Sequence, residues 1–277
     1  MMTGKYRKKS SVKGRLLVFG SLALLLIFIA IFGQFFLPYD PYQQNLSNTK
    51  AEPSPAHIFG TDRFGRDMFS RVILGARTSI LSTLLLVSII MILGTAIGLL
   101  AGWYGKWLDS LLMRISDFFL AFPGLVFALA VAAVLGGGVF NAVIALSFIG
   151  WPKYARLARS GTLAQKKALY LDAARLSGDS TGKIFLSHIL PNIAGPIVVT
   201  AILDIGTMLM EIAGLSFLGL GAKPPVPEWG SMMSESRNLL TTAPFVTLAP
   251  GFAIVLTVTV FNLFGDALRD YLDPSGR

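Results

Sequence analysis

Six stretches of the chain are apolar over lengths that matter: residues 16–37, 79–101, 115–135, 139–149 with its flanks, 193–213 and 244–263. Each approaches the roughly 20 residues with which a helix crosses about 30 Å of hydrocarbon, satisfying its own backbone where no water can. The fourth is the shortest. The segments between them are polar, so the pattern predicts an all-α integral membrane protein with six transmembrane helices. Gly136-Gly137-Gly138 predicts a tight hairpin between the third and fourth spans. Inside the second, Gly94-x-x-x-Gly98-x-x-x-Gly102 predicts close helix packing in preference to a ligand site. The chain thus divides into a tail (1–15), a first span (16–37), an external loop with a short helix (38–78), a five-helix core (79–268) and a closing tail (269–277). The core includes a polar loop, 151–191, and a turn-rich external loop, 214–243.

Composition agrees with this division. Of the 277 residues 53% are hydrophobic and 14% charged, with a mean hydropathy of +0.65. There is no cysteine, which excludes disulfides, thiolate catalysis and Cys-based metal sites. The first apolar run follows six cations: Lys5, Arg7, Lys8, Lys9, Lys13 and Arg15. A secretory leader would have an apolar region of about 7–15 residues and a small-x-small cleavage site. Ile31-Phe32-Gly33-Gln34 supplies no such site, so an uncleaved first span with a cytoplasmic N-terminus is expected. With that start, 17 Lys and Arg fall on the cytoplasmic side and 7 on the external side, the bias that sets membrane orientation. The net charge of +9 therefore reflects orientation, and no nucleic-acid partner is expected.

The polar loop 151–191 has an internal design. Residues 170–176 are good helix formers, Gly178 can take the left-handed conformation that stops a helix, and 183–189 can form a second short helix before Pro191. The expected shape is a helix-turn-helix elbow outside the bilayer. Its Asp172-Ala173-Ala174, Gly178 and Leu190-Pro191 resemble the cytoplasmic "EAA" loop of ABC-importer permeases, with Asp172 in place of Glu and His188 at an Ile position. Further segments are similar to the dipeptide/oligopeptide/nickel branch of that family: Gly60-Thr61-Asp62 through Gly65-Arg66-Asp67, Ser70-Arg71, Gly75-Ala76-Arg77, the GLSFLGLG run at 214–221, the PEWG at 227–230, and Gly265 to Pro274.

That resemblance implies a type I ABC importer permease fold with a cytoplasmic coupling helix, in the inner membrane with both termini cytoplasmic. It also implies a second similar permease completing a heterodimer, two cytoplasmic ATPase subunits and an external binding protein. Asp172, Ala173, Ala174, Arg175, Gly178 and Pro191 would couple to the ATPase, the small alanines allowing close docking and Gly178 setting the elbow angle. Leu203-Asp204-Ile205-Gly206 and the short length look most like the nickel-transport members, which favours nickel or a nickel chelate as solute, with di- or oligopeptides as the alternative.

No nucleotide site is expected in this chain. Gly178-Asp179-Ser180-Thr181-Gly182-Lys183-Ile184 has three residues between its glycines where a phosphate loop needs four, and Ile184 where it needs Ser or Thr. ATP and magnesium thus belong on partner subunits. No Ser-His-Asp set or metal-ligand spacing appears, and His57 and His188 fall on opposite sides of the membrane. Two carboxylates, Asp204 and Glu211, lie seven apart in the fifth span, and an ionised carboxylate at mid-bilayer costs roughly 2.5–3.5 kcal/mol. They either line a path for a cationic or amine-bearing solute, with Met208 beside them, or form buried structural pairs. Met208, Met210 and Met232-Met233 are soft ligands, for which packing is the expected role. A more distant alternative uses Asp204 and Glu211 in an ion-coupled secondary transporter, although no inverted repeat is visible.

Overall fold

The computed structural model describes the backbone of residues 3–272 and the side chains of residues 12–272. Among the described residues every regular element is a helix. The first, α1 (Thr3–Phe32), is helical almost from the start of the expected tail. The side chains of Lys5, Arg7, Lys8 and Lys9, together with residues 273–277, lie outside the described residues.

The second helix, α2 (Met68–Tyr104), begins eleven residues before the apolar run, because the carboxylate of Asp67 caps it by accepting from the Ser70 amide at 2.7 Å. The expected loop 38–78 is therefore helical in its last part. The third span differs from the single rod expected over 115–135. It is a pair, α3 (Lys106–Leu120) and α4 (Gly124–Val134), meeting at 87°. Pro123 explains the break, since it has no amide to donate and disfavours a helical residue before it.

The glycine hairpin then forms as expected. Gly136, Gly137 and Gly138 all have positive φ, and the Gly137 amide returns to the Ala132 carbonyl at 2.9 Å. The next helix, α5 (Val139–Gln165), runs well past the short apolar stretch, so the first fifteen residues of the expected loop 151–191 are helix.

The elbow follows as α6 (Leu169–Leu176), a turn at Gly178, and α7 (Thr181–Lys183). No second short helix ends at Pro191. α7, a π-helical segment (Ile184–Ile189) and α8 (Leu190–Phe217) form one continuous helix, Thr181–Phe217. A π turn loosens the hydrogen-bond ladder where the proline ring would otherwise meet a carbonyl four residues back, so the helix passes through. The loop 214–243 is likewise part helix: α8 reaches Phe217, and α9 (Trp229–Ser236) follows. The last helix, α10 (Pro244–Leu272), absorbs the start of the expected closing tail.

Among the described residues four helices are long and apolar enough to cross a membrane, Val12–Phe36, Met68–Tyr104, Thr181–Phe217 and Pro244–Leu272, and five if the bent pair counts as one. The fourth expected span, 139–149, corresponds to α5, whose second half carries Lys153, Arg156 and Arg159. Those charges keep it from reading as a plain apolar span.

The bundle is built on α2 against α5. A Cβ added at Gly94, Gly98 or Gly102 would fall 2.6, 2.7 and 2.7 Å from the Cβ atoms of Tyr154, Ala158 and Thr162. No real contact is that short, so the two backbones meet where only hydrogen fits. Around this seam lie Leu86, Ile90, Leu146, Ile212 and Leu215, all buried. At one end, the C-termini of α2, α5 and α10 meet α6 and the start of α8, and Arg15 of α1 pairs there with Asp270 at 3.1 Å. At the other, Gly138 donates to the Leu220 carbonyl at 3.0 Å.

Gly98→Leu is expected to lower the thermal stability of the detergent-purified protein by about 1–3 kcal/mol or more through overpacking, whereas Gly182→Ala, with nothing within 4 Å, should leave the melting temperature nearly unchanged.

Candidate functional site

Two places draw the sequence-predicted residues together: the elbow at one end of the bundle, and the carboxylates of α8. The elbow helix α6 packs by alternation. Leu171 and Ala174 are buried against the bundle, while Leu169 and Leu176 are 86% and 90% exposed. Leu169, Asp172, Ala173 and Leu176 recur at the spacing of one helical face, and that face points away from the rest of the chain. The two adjacent alanines face different ways. Ala173 lies on the free face, but Ala174 is spent on seating the helix.

Charged residues fix the seat. Arg175 pairs with Asp172 at 3.0 Å and places its guanidinium 4.7 Å from the centre of the Trp103 ring, at the end of α2. Trp103 in turn meets Phe185 of the π segment edge-on at 5.5 Å, and its carbonyl accepts from the ammonium of Lys166. One aromatic ring thus joins α6, the end of α2 and the start of the long helix.

Beyond α6 the chain turns at Gly178, whose φ of +81° is the left-handed conformation that spares any other residue's Cβ. The Asp179 amide closes the helix end on the Ala174 carbonyl at 3.1 Å, and the Gly178 amide on Arg175 at 3.0 Å. Ser180 then caps α7 by accepting from the Lys183 amide at 3.4 Å. The near phosphate-loop sequence is this capped turn, and it follows a helix where a phosphate loop would follow a strand. The Asp179 carboxylate receives Lys183 Nζ at 2.6 Å and His188 Nε2 at 3.0 Å. These hydrogen bonds, Lys183's first, hold its carboxyl below the usual carboxylate range. Pro191, at the second position of α8, lies one turn further into the continuous helix.

The α8 carboxylates have unequal surroundings. Asp204 is 5% exposed, and both its oxygens are taken: Lys153 Nζ donates to one at 2.6 Å and the Tyr154 hydroxyl to the other at 2.8 Å. Both partners come from α5, so Asp204 ties α8 to the glycine seam. Glu211, two turns on, has a buried oxygen, Oε2, with no hydrogen-bond partner among the described residues. Met208 packs on the main core between them, while Met210 is 55% exposed. Met232 and Met233 pack with Trp229 in the second core cluster. Among the described residues no three His, Asp or Glu side chains converge as a metal-binding group.

One cluster escaped the sequence reading. The segment before α2 is a folded plug: Asp62 accepts from the Arg66 side chain at 2.6 Å and from the amides of Phe64 and Arg66, while Arg71, 2% exposed, reaches the Pro41 carbonyl at 3.2 Å. Arg66 also meets Glu235 of α9 at 3.5 Å. The Glu228 side chain caps α9, and the Trp229 indole donates to the Val72 carbonyl at 2.9 Å. Charge spacing at Asp62 and Arg66 was the available signal, being the i,i+4 pair of one tight turn.

The family model described as binding-protein-dependent transport system inner membrane component matches residues 94–277, and the N-terminal TM domain of oligopeptide transport permease C matches residues 14–53. Among curated proteins, the chain is 44% identical over 267 residues to the dipeptide transport system permease protein DppC of Alkalihalophilus pseudofirmus, covering 96% of this chain and 88% of that protein. It is 45% identical over 256 residues to the glutathione transport system permease protein GsiD of Pectobacterium atrosepticum, covering 92% and 85%. The GsiD protein of Escherichia coli O6:K15:H31 is 48% identical over 252 residues, with 91% and 83% covered. The inward-facing MetNI methionine ABC transporter matches in fold, with a TM-score of 0.55 at 19% identity over 74% of this chain and 98% of that one. The closeness to nickel-transport members read from residues 203–206 finds no support in these names.

Tyr154→Phe leaves one buried oxygen of Asp204 unpaired and is expected to cost about 1–3 kcal/mol, read as a lower melting temperature in detergent. An unchanged melting temperature would mean that Asp204 does not depend on that hydroxyl.

Proposed function

The chain belongs to the family of binding-protein-dependent transport system inner membrane components, as a permease subunit of an ABC importer, and we propose that it forms half of a translocation channel for short peptides. The peptide assignment is supported by the matched relatives, named for dipeptide and glutathione transport, glutathione being itself a short peptide. Nickel has no such support. In this reading a second, similar permease completes the channel, two ATPase subunits lie in the cytoplasm and an external binding protein delivers the solute. The α6 end, with both chain termini, faces the cytoplasm, in keeping with the bias of 17 cations against 7.

The observation that carries the mechanism is the free face of α6. Two leucines exposed on an eight-residue helix are costly in water and favourable in a groove on another protein. That face is the one an ATPase would hold. When ATP closes the ATPases, α6 travels with its groove, Arg175 over Trp103 draws on the end of α2 and Leu171 on the π segment that opens the long helix, and the spans attached to them swing. Coupling on this account divides between a docking face of Leu169, Asp172, Ala173 and Leu176 and a seating face of Leu171, Ala174 and Arg175. Gly178 and Pro191 shape the path between them.

The translocation path takes Glu211 in preference to Asp204. Asp204 is already neutralised by Lys153, whereas the buried, unpartnered oxygen of Glu211 is free to meet the ammonium group of a passing peptide, with Met208 lining the same side.

Leu176→Asp in the assembled importer should cut uptake and co-purification of the ATPase subunits by roughly tenfold to a hundredfold, because a docked leucine is worth about 1.5–3 kcal/mol, while membrane insertion stays normal. Undiminished uptake would remove α6 from the coupling role. Glu211→Gln is expected to raise the half-saturating peptide concentration, or slow uptake, by about fivefold to tenfold for peptides with a free N-terminus, leaving ATPase attachment intact. Equal uptake of such peptides would take Glu211 off the path.

A further inference from the structure

A force delivered to α6 can pass to α2 through Trp103, but along the chain to α8 it has to cross Gly178, and Gly178 is a poor conductor. No atom lies within 4 Å of where its Cβ would be, so nothing packs against the joint. Glycine is also the residue with the widest backbone freedom, and a hinge made of it alone would let α6 move without α8. The helix beyond it is softened as well, because the π segment interrupts the regular ladder just before Pro191.

One side-chain tie crosses the glycine, and a second stiffens the helix beyond it from Asp179, whose amide is itself held on the Ala174 carbonyl of α6. Asp179, immediately after the glycine, holds Lys183 at 2.6 Å and reaches nine residues ahead to His188 at 3.0 Å, spanning α7 and most of the π segment. Tyr170, on α6 itself, accepts at its hydroxyl from Asn192 Nδ2 of α8 at 3.3 Å and donates to Gln165 of α5 at 2.7 Å. Asn192 Nδ2 also donates to the His188 carbonyl at 2.6 Å, so the two ties share one turn of helix. The Tyr170 and His188 rings lie 6.4 Å apart.

We propose that Tyr170 and Asn192, with Asp179 and His188 stiffening the turn beyond the glycine, form a latch that locks α6 to the base of α8, so that helix and span move as one body when a partner displaces α6. These are positioning residues: none is assigned contact with the transported solute or with ATP. The inference rests on the reading of α6 as the ATPase-docking helix. Without the latch, the partner ATPases would still bind and still hydrolyse ATP, but part of each stroke would be absorbed at Gly178.

The test uses the complete importer in vesicles, with peptide uptake and ATP hydrolysis measured on the same preparation and ATPase subunits quantified by co-purification. Asp179→Asn and the double variant Asp179→Ala/Tyr170→Phe should keep bound ATPase and hydrolysis near the starting level and lower peptide transported per ATP by about fivefold or more, within the usual range of coupling between sites. Asp179→Glu should recover part of the ratio. The chain contains no cysteine, so Asp179→Cys with His188→Cys can be bridged by a short thiol-specific crosslinker, and bridging should restore the ratio lost in the unbridged pair. An unchanged transport-to-hydrolysis ratio in the double variant overturns the latch, as does loss of ATPase binding in Asp179→Asn, which would make the residue a docking contact. Failure of Leu176→Asp to release the ATPases sinks the docking role of α6. If Leu176→Asp releases them and the latch variants stay coupled, the latch alone falls.

Discussion

Everything in this molecule is arranged around the distance at which α2 and α5 pass each other. Gly94, Gly98 and Gly102 occur every fourth residue on one face of α2, and each meets a residue of α5 so closely that a methyl group would not fit. In a lipid environment little hydrophobic force drives helices together, so close backbone approach and the dispersion contacts it permits have to supply the attraction. That seam holds α5 in the bundle although its second half is too charged to be held by apolarity. It also brings Tyr154 and Lys153 to the level of Asp204, and puts Trp103, one residue past the last of the three glycines, under the elbow helix.

Once α5 is fixed, its cations determine what surrounds it. Lys153 pairs with Asp204 of α8, Arg156 with Asp117 at 2.5 Å and Arg159 with Asp109, the last two on α3. Three successive basic positions on one helix thus bind two different neighbours, and each has a carboxylate facing it. A charge near hydrocarbon is tolerable when paired or when it can reach water, and here both conditions apply: Asp204 is buried, while more than half of the Lys153 side chain is exposed. Because Lys153 can still be hydrated, the pair holds position more than it contributes stability. The bent α3–α4 pair follows from the same logic. Amphipathic α3 lies along the charged part of α5, and Pro123 frees α4 to turn into the apolar part.

Much of this was legible in the chain, and what was missed has a common cause. Apolar runs located all the long helices, the GxxxGxxxG spacing announced the seam, and Gly136 to Gly138 announced the hairpin, because each is a local signal with one physical meaning. Helix ends differ from the expectation where polar residues continue a helix: Ser70 and Arg71 in the first turns of α2, and the basic second half of α5; the helix expected over 183–189 is present but runs on into α8. Hydropathy scores such residues as loop because it cannot see that their charges have partners. Pro123 was a visible breaker inside an apolar run that outweighed it. Pro191, read as a stop, is not one, because a π turn accommodates it. Which carboxylate was free could not be read at all, since Asp204 and Glu211 have the same spacing and chemistry and differ only in what α5 places opposite them.

The inward turn of Ala174 changes how the elbow has to work. A helix of eight residues has two faces to spend, and here one is used on Leu171 and Ala174 against the bundle, with Arg175 lying over Trp103 at its edge. The other is left with two large aliphatic side chains and no cover. On the proposed reading, a partner that grips the outer face pulls on a helix seated by Leu171 on the π segment and by Arg175 on Trp103 of α2. Adjacent alanines of one motif therefore face different surroundings for one reason: a small residue permits close approach on whichever side it faces, and successive residues on a helix face about 100° apart. Displacement can leave α6 through Trp103 into α2, or through the turn into α8. The first route is the single contact of Arg175 with Trp103 and the second passes an unpacked glycine, so motion of α8 in step with α2 depends on what spans that glycine.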